Sequence, residues 1–497
     1  MSRPRRPIDD DALRRAVAEL LRVAPVADAL AERLAASGHA LALVGGSVRD
    51  ALLGRLSQDL DFATDARPDE VLAAVRGWAE ATWTTGINFG TVGIGRDGWR
   101  LEVTTYRAEA YDRTSRKPQV AYGDSLEADL ERRDFTVNAM AVTLPERTFV
   151  DPYGGLDDLR ARVLRTPGSA VASFDDDPLR IMRAGRFVAQ LGWSVADDVV
   201  TAMAELSGRL EIVSPERKRD ELTKLLLGAE PVRGLRLLAD TGAADLVVPE
   251  LSKLKATVDE HRRHKDVYEH TLTVLTQAVM LERERGFDPD LVVRLAALLH
   301  DIGKPKTRSF ESGGGVSFHH HEVVGAAMTR SRLSELRFPK HVVEDVSRLV
   351  ELHLRFHGYA EGEWTDAAVR RYVRDAGHLL DRLHVLTRSD CTTRNKAKAA
   401  RLAAAYDDLE ARIARLAAEE ELRAIKPRLD GGQVMAYLGQ SPGPIIGQAL
   451  KFLLELRLER GPMTADQGYE ALRTWAVEQG LADPGRPPSE PGAKEQK

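Results

Sequence analysis

Short apolar runs punctuate the first third of the chain: Ala40–Val44, Asp59–Ala63, Thr91–Gly95, Arg100–Thr105 and Ala139–Leu144. Each is of strand length and is separated from the next by polar, glycine-bearing or helical sequence, so each predicts a β-strand. Residues 11–37 carry a helical pattern, and helices alternate with the strands up to about Leu164, the signature of an α/β or α+β head. Residues 107–124 (RAEAYDRTSRKPQVAYGD) are polar and contain proline, and predict a mobile loop. From Asp175 onward the period is helical almost throughout. Ser214-Pro215-Glu216 predicts an N-cap followed by proline in the first turn, and residues 396–425 predict a further helix. The end, PGRPPSEPGAKEQK, has the composition of a disordered tail.

Composition narrows this picture modestly. At 497 residues several domains are expected, at roughly 150 residues each. With 43% hydrophobic and 30% charged residues, the chain has the make-up of an ordinary soluble protein. The formal net charge of −5 means that any nucleic-acid contact must use a local basic surface. Cys391 is the single cysteine, which excludes an intramolecular disulfide and fits a reducing compartment. No apolar stretch approaches the ~18 residues needed to cross a membrane, and MSRPRRPIDD lacks an apolar leader core. A cytoplasmic protein is expected.

The chemistry begins at Leu43-Val44-Gly45-Gly46-Ser47-Val48-Arg49-Asp50. A strand, two glycines and a helix start at Ser47 make a turn whose bare N–H groups suit a phosphate. Asp59 and Asp61 follow at i and i+2 in a strand, so both carboxylates project from one face. Two such carboxylates repel unless a cation lies between them, and their hard oxygens suit Mg²⁺. A phosphate cradle beside a two-carboxylate metal site is equipment for nucleotidyl transfer.

Joined at this spacing, with Arg49 one turn into the helix, these residues resemble the signature of the DNA polymerase beta-like nucleotidyltransferases, in the form used by bacterial tRNA nucleotidyltransferases and poly(A) polymerases. The resemblance implies an α+β fold: a small mixed β-sheet head (1–165), a helical neck (166–258), an HD domain (259–390), a helical tRNA-binding tail (391–480) and a disordered end (481–497). It makes Glu102 a third acidic group beside Asp59 and Asp61. In Glu131-Arg132-Arg133-Asp134 it carries Arg133 over as a contact to sugar and triphosphate, with Gly45, Gly46 and Arg49 also on the nucleotide side.

In Asp176-Asp177-Pro178-Leu179-Arg180-Ile181-Met182-Arg183-Ala184-Gly185-Arg186 the three arginines share one helix face, which alone reads as a basic stripe on a solvated surface or in a cleft. The resemblance makes Asp177 and Arg180 the readers of the incoming base and Arg183 and Arg186 holders of phosphate. Asp176 stands where the family has glutamate. Cytosine and adenine both offer an exocyclic N–H beside a ring nitrogen acceptor, so a carboxylate with a guanidinium suits both. Uracil and guanine present the reverse polarity, and each mispaired buried group costs about 1–3 kcal/mol. The reaction implied is CCA addition to tRNA 3′ ends from CTP and ATP.

Downstream, His270, His300-Asp301 and Asp390 follow the order of the HD phosphohydrolases, which hold a divalent metal on a helical bundle. Nitrogen with oxygen ligands suits a transition metal. His319, His320, His321 and His353 are further candidates, His321 being the best placed of its triplet, and one metal or two remains open. So does turnover at this site. Arg217, Lys218, Arg219, Arg394, Lys396, Lys398 and Arg401 are expected to contact tRNA phosphates. Gly86-Ile87-Asn88-Phe89-Gly90-Thr91-Val92 lacks the basic signature of bacterial poly(A) polymerases and favours a tRNA enzyme. Poly(A) synthesis, CC-only or A-only addition, and a phosphohydrolase with an RNA-binding head are the alternatives. The oligomeric state is left open.

Overall fold

The computed structural model describes residues 24–486 apart from 56–57, 111–118, 124, 258–265, 311–315, 357–358, 360–363, 394 and 421–425, together with 15, 16, 18, 19 and 22. The expectations for most of the first 23 residues, for Arg394 and for the end beyond 486 therefore lie outside the described residues. The chain divides into two compact units, 1–252 with 335–338, and 253–334 with 339–497.

In the first unit the strands are β1 (Leu41–Val44), β2 (Asp59–Thr64), β3 (Ala81–Trp83), β4 (Thr91–Arg96), β5 (Trp99–Thr105), β6 (Arg107–Ala110), β7 (Gln119–Tyr122), β8 (Ala141–Leu144) and β9 (Phe149–Val150), with a short parallel pair, β10 (Val163–Leu164) and β11 (Ser194–Val195), beyond them. Seven of them form one sheet in the order β3-β4-β5-β2-β1-β8-β9. β2 and β5 run parallel and the other neighbours antiparallel, so the sheet is mixed as expected. All four β1 residues are buried at its centre, and β2 alternates, with Asp59 and Asp61 exposed and Leu60 and Phe62 buried. Residues 107–124 depart from the loop expectation: the stretches flanking 111–118 pair antiparallel as β6 and β7.

Helices α1 (Pro25–Ala36), α2 (Gly46–Leu52), α3 (Pro68–Ala74), α4 (Leu126–Glu131) and α5 (Gly155–Ala161) accompany the sheet. The neck follows as α6 (Ala170–Asp176), α7 (Leu179–Leu191), α8 (Asp197–Leu206), α9 (Pro215–Leu226) and α10 (Pro231–Asp240). α7 packs on both α9 and α10. Its crossing with α10 is made by two glycines: a Cβ on Gly234 would lie 2.3 Å from the Gly185 carbonyl oxygen. Ser214 caps α9 as expected, its Oγ accepting the Arg217 N–H at 3.4 Å.

The second unit is built from α11 (Val267–Glu284), α12 (Leu291–Leu299), α13 (His321–Glu335), α14 (Lys340–Leu352), α15 (Asp366–Ala376), α16 (Leu380–Asp390), α17 (Lys396–Glu420), α18 (Gly431–Leu438), α19 (Pro444–Arg460) and α20 (Ala465–Glu478). The domain edge expected at 390 cuts through packing. α17 lies against α15 and α16, Tyr406 stacks on Phe356 with ring centroids 3.6 Å apart, and Arg388 pairs with Glu410 at 2.9 Å. The last three helices close a small core of their own around Leu429, Val434, Leu453, Leu472 and Trp475.

Candidate functional site

The head site starts at the end of β1. Gly45 adopts φ +70°, a left-handed conformation open to glycine, and its missing Cβ matters too: one would lie 2.7 Å from Arg133 Nη1. The turn thus leaves room for the Arg133 guanidinium, which Asp129 holds at 3.1 Å. Gly46 opens α2, and Ser47 Oγ accepts the Asp61 N–H at 3.0 Å, tying this turn to β2. Arg49 is buried, donating to Asp50 (2.8 and 3.0 Å) and to Asn138 Oδ1 (2.6 Å). It is a fixed charge behind the turn.

Asp61 is in register with Glu102 across the β2–β5 pair, and Asp59 with Arg100. Opposed residues share a face of the sheet, so three carboxylates gather where the sequence proposed them. They line a cleft of about 480 Å³ together with Arg100 and Trp83, two residues the motif reading passed over. Although Asp61 lies on the open side of β2, desolvation of its carboxyl by the protein around the cleft, then the Glu102 charge, pushes it above its ordinary range, with Asp59 adding to the shift. Such a set is short of positive charge, and the donor chemistry fits a hard divalent cation held by Asp59, Asp61 and Glu102.

Residues 132–134 bridge this face to α7. The Arg132 carbonyl accepts from Arg180 Nη2 at 2.5 Å, Arg133 stands beside Gly45, and Asp134 accepts from Arg183 Nε at 2.7 Å. Arg180 is itself buried, donating also to Ser173 Oγ at 2.8 Å. Asp177 Oδ1 accepts the Leu179 N–H (3.2 Å) at the start of α7, and Arg217 donates to its Oδ2 (3.0 Å). The basic stripe is therefore no solvated face.

Arg183 and Arg186, expected to hold phosphate, are paired inside the protein. Arg183 binds Asp134, and Arg186 lies 2.8 Å from Glu221 and over the Phe187 ring. Asp134 is fully enclosed; burial alone would raise its carboxyl, but Arg183 and Asn138 hold it well below the usual range. The neck cations expected on tRNA are also engaged: Arg217 on Asp177, Lys218 on the Leu246 carbonyl, Arg219 on Asp220. On α17, Lys396 and Arg401 are exposed. Sequence reasoning missed Asp134, Asn138 and Glu221 because buried partners far along the chain leave no local pattern.

The second unit brings its histidines to one point. Asp266 caps α11 and sets His270, Asp290 caps α12, whose end carries His300-Asp301, and Asp390 closes α16. His270 Nε2 lies 3.0 Å from Asp390 and 3.4 Å from Asp301, and the two Nε2 atoms of His270 and His300 are 3.3 Å apart. His321 and His353 join them, with Nε2 atoms 3.3 and 4.0 Å from Asp301 Oδ1, while His319 and His320 are exposed. Two adjoining triads result, His270/His300/Asp390 and Asp301/His321/His353.

The outer ring nitrogens are already committed. Nδ1 of His300, His321 and His353 sits 2.9, 2.7 and 2.6 Å from the carbonyls of Ala297, Phe318 and Val350, and Nδ1 of His270 sits 3.2 Å from Thr392 Oγ1. Donation there leaves lone pairs on Nε2 facing carboxylate oxygens, and Nε2 of His321 and His353 is buried with no hydrogen-bond partner. Acceptors facing acceptors require cations. Without a metal ion, a proton takes that place: burial opposes a charge on His300, yet Asp301 and Asp390 lift it to about 10, while burial with His300 beside it drives His353 down to about 3. The cluster fits divalent metal, and a Cβ on Gly303 would meet the His321 carbonyl at 2.2 Å, so glycine permits this closeness.

Comparison with known proteins shows the family. Residues 41–165 match the family model described as "Poly A polymerase head domain", 192–255 that described as "Probable RNA and SrmB- binding site of polymerase A", and 267–418 the HD domain. The A-adding tRNA nucleotidyltransferase of Deinococcus radiodurans is 35% identical over 446 residues, covering 88% of this chain and 96% of that one. The CCA-adding enzyme of Geobacillus thermodenitrificans is 44% identical over 206 residues, 41% of this chain and 50% of that one. The crystal structure of the Bacillus stearothermophilus CCA-adding enzyme in complex with CTP superposes with a TM-score of 0.68 at 26% identity, covering 92% of this chain and 99% of that one. With the carboxylate face, the arginine-bearing neck helix and the histidine bundle in place, the chain belongs to the tRNA nucleotidyltransferase family, in the form that carries an HD domain.

Proposed function

We propose that this protein adds C, C and A to tRNA 3′ ends, taking the nucleotides from CTP and ATP. The observation that carries this reading is the single segment 132–134, which joins the carboxylate face to Arg180 and Arg183 on α7, just past Asp177. Mg²⁺ held by Asp59 and Asp61 would supply charge neutralisation at the transferring phosphate and acidify the attacking 3′-hydroxyl. The protein's own part is positioning. Glu102 keeps the face anionic, Arg133 and the Gly45 turn offer cation and N–H groups to the triphosphate, and Asp177 with Arg180 offers an acceptor and a donor to C or A. Asp59→Ala and Asp61→Asn should each lower addition of C and of A at least about a hundredfold with unchanged circular dichroism. Near-parental activity in either variant would remove the metal assignment.

A-only addition is the second reading, favoured by the name of the Deinococcus relative that the chain matches over nearly its whole length.

In the HD domain we propose a transition metal such as Mn, Ni, Co or Fe on His270, His300, Asp301 and Asp390, with room for a second ion on His321 and His353, and hydrolysis of phosphate esters such as a 2′,3′-cyclic phosphate. His300→Ala should empty the site by elemental analysis and spare nucleotide addition. Full metal content in that variant would exclude the assignment.

A further inference from the structure

Among the described residues lining the cleft, Arg100 and Trp83 have no part in the reading above, and Trp83 is the one whose seat the backbone shapes. Trp83 closes a row that crosses four strands: Asp61 on β2 is in register with Glu102 on β5, Glu102 with Gly93 on β4, and Gly93 with Trp83 on β3. All four positions therefore face the same side of the sheet. Gly93 interrupts the row of side chains, and the indole fills the gap. A Cβ on Gly93 would fall 1.9 Å from Trp83 Cε2 and Nε1, and one on Gly95, two residues along the same face, 3.6 Å from Cζ3. The ring thus lies along a trough made by two glycines on β4, the strand next to Glu102. It is only half-buried, and it lines the cleft with Asp59 and Asp61.

A buried tryptophan would be core, and an exposed one on an edge strand would be incidental. An indole laid over glycines beside three carboxylates does neither, because the backbone beneath it has given up two side chains to seat it. Flat aromatic surfaces in nucleic-acid clefts stack unpaired bases without regard to their identity. The carboxylates act on the acceptor's 3′-hydroxyl, so the base that shares that terminal nucleotide is the one within reach. The incoming base is assigned above to Asp177 and Arg180, neither of which lines this cleft. We propose that Trp83 is a stacking platform for the terminal base of the RNA acceptor, whichever base that is at each step; this rests on the nucleotidyl-transfer reading of the cleft.

The test uses the full chain and an RNA minihelix ending in CC, beside the same minihelix whose last nucleotide is abasic but keeps its 3′-hydroxyl. Trp83→Ala should raise KM for the intact minihelix about tenfold and leave KM for ATP within about twofold. Trp83→Leu, which fills the trough without a π face, should behave like alanine, and Trp83→Phe should recover most of the loss. The parent should bind the abasic minihelix about tenfold more weakly than the intact one, and Trp83→Leu should show no such difference. An equal abasic penalty in parent and leucine variant, or a rise confined to the KM for ATP, would overturn the proposal. Because the coupling is also read as a Kd by filter binding, it is decided even if the parent fails to extend the minihelix, an outcome that would instead count against nucleotidyl transfer.

Discussion

Asp134 is held by three donors and enclosed by the protein. Arg183, the Asn138 amide and the Phe135 N–H all donate to it, and 35% of the Arg183 side chain stays in solvent. Removing the carboxylate strands a largely enclosed guanidinium, so Asp134→Ala should cost about 2–4 kcal/mol, below the full figure for a buried pair because Arg183 keeps some water. The linkage runs with a depressed pKa: the stabilisation is complete above the unfolded value of about 4 and is lost as pH falls below it. Urea titrations at pH 7 and at pH 3.5 should show a larger drop for the parent than for Asp134→Asn; equal drops would contradict this account. At this scale the sequence was uneven in what it disclosed. Asp59 and Asp61 were readable because a strand's period of two fixes which side chains share a face, and Glu102 only through the family resemblance. The pairings of Asp134, Glu221 and Arg217 were not, since each acts through a partner about 35 to 50 residues away that no local pattern announces.

At the scale of elements, close approach is made by glycine. α7 and α10 cross where Gly185 and Gly234 meet, and α7 carries Arg180, one of the two residues proposed to read the base. Gly234→Ala would press a methyl against the Gly185 carbonyl and force the helices apart, at about 1–3 kcal/mol. Thermal unfolding should register that loss, together with a rise in KM for CTP because α7 moves from the 132–134 segment. An alanine variant as stable as the parent would mean that the crossing is looser than the geometry implies. β1, β2, β4, β5 and β8, four to seven residues long, were legible in the sequence, whereas β3 and β9, three and two residues long, are too short to establish a period. The arms β6 and β7 read as loop because their polar, proline-bearing surroundings hid a pairing that only the partner strand supplies.

At the scale of the molecule, the histidine bundle and the carboxylate face lie in separate compact units, and within the described residues no helix is long and apolar enough to cross a membrane. The order of domains was readable from motif order, but the edge at 390 was not. Ala-, Glu- and Arg-rich helices look alike whether they join a bundle or leave it, and only the stacking of Tyr406 on Phe356 places α17 in the bundle. The central claim concerns what is built on the carboxylate face. Its most direct test is single-nucleotide gel analysis of three tRNA transcripts, ending before CCA, after its first C and after CC, each given one NTP at a time and then CTP with ATP. The account predicts that CTP alone extends the first two to CC and stops, that ATP alone extends only the third by one residue, that both together complete CCA, and that UTP and GTP are refused. Extension of the third transcript alone would replace CCA addition by A addition, and long runs of A, or no extension of any transcript, would contradict the account.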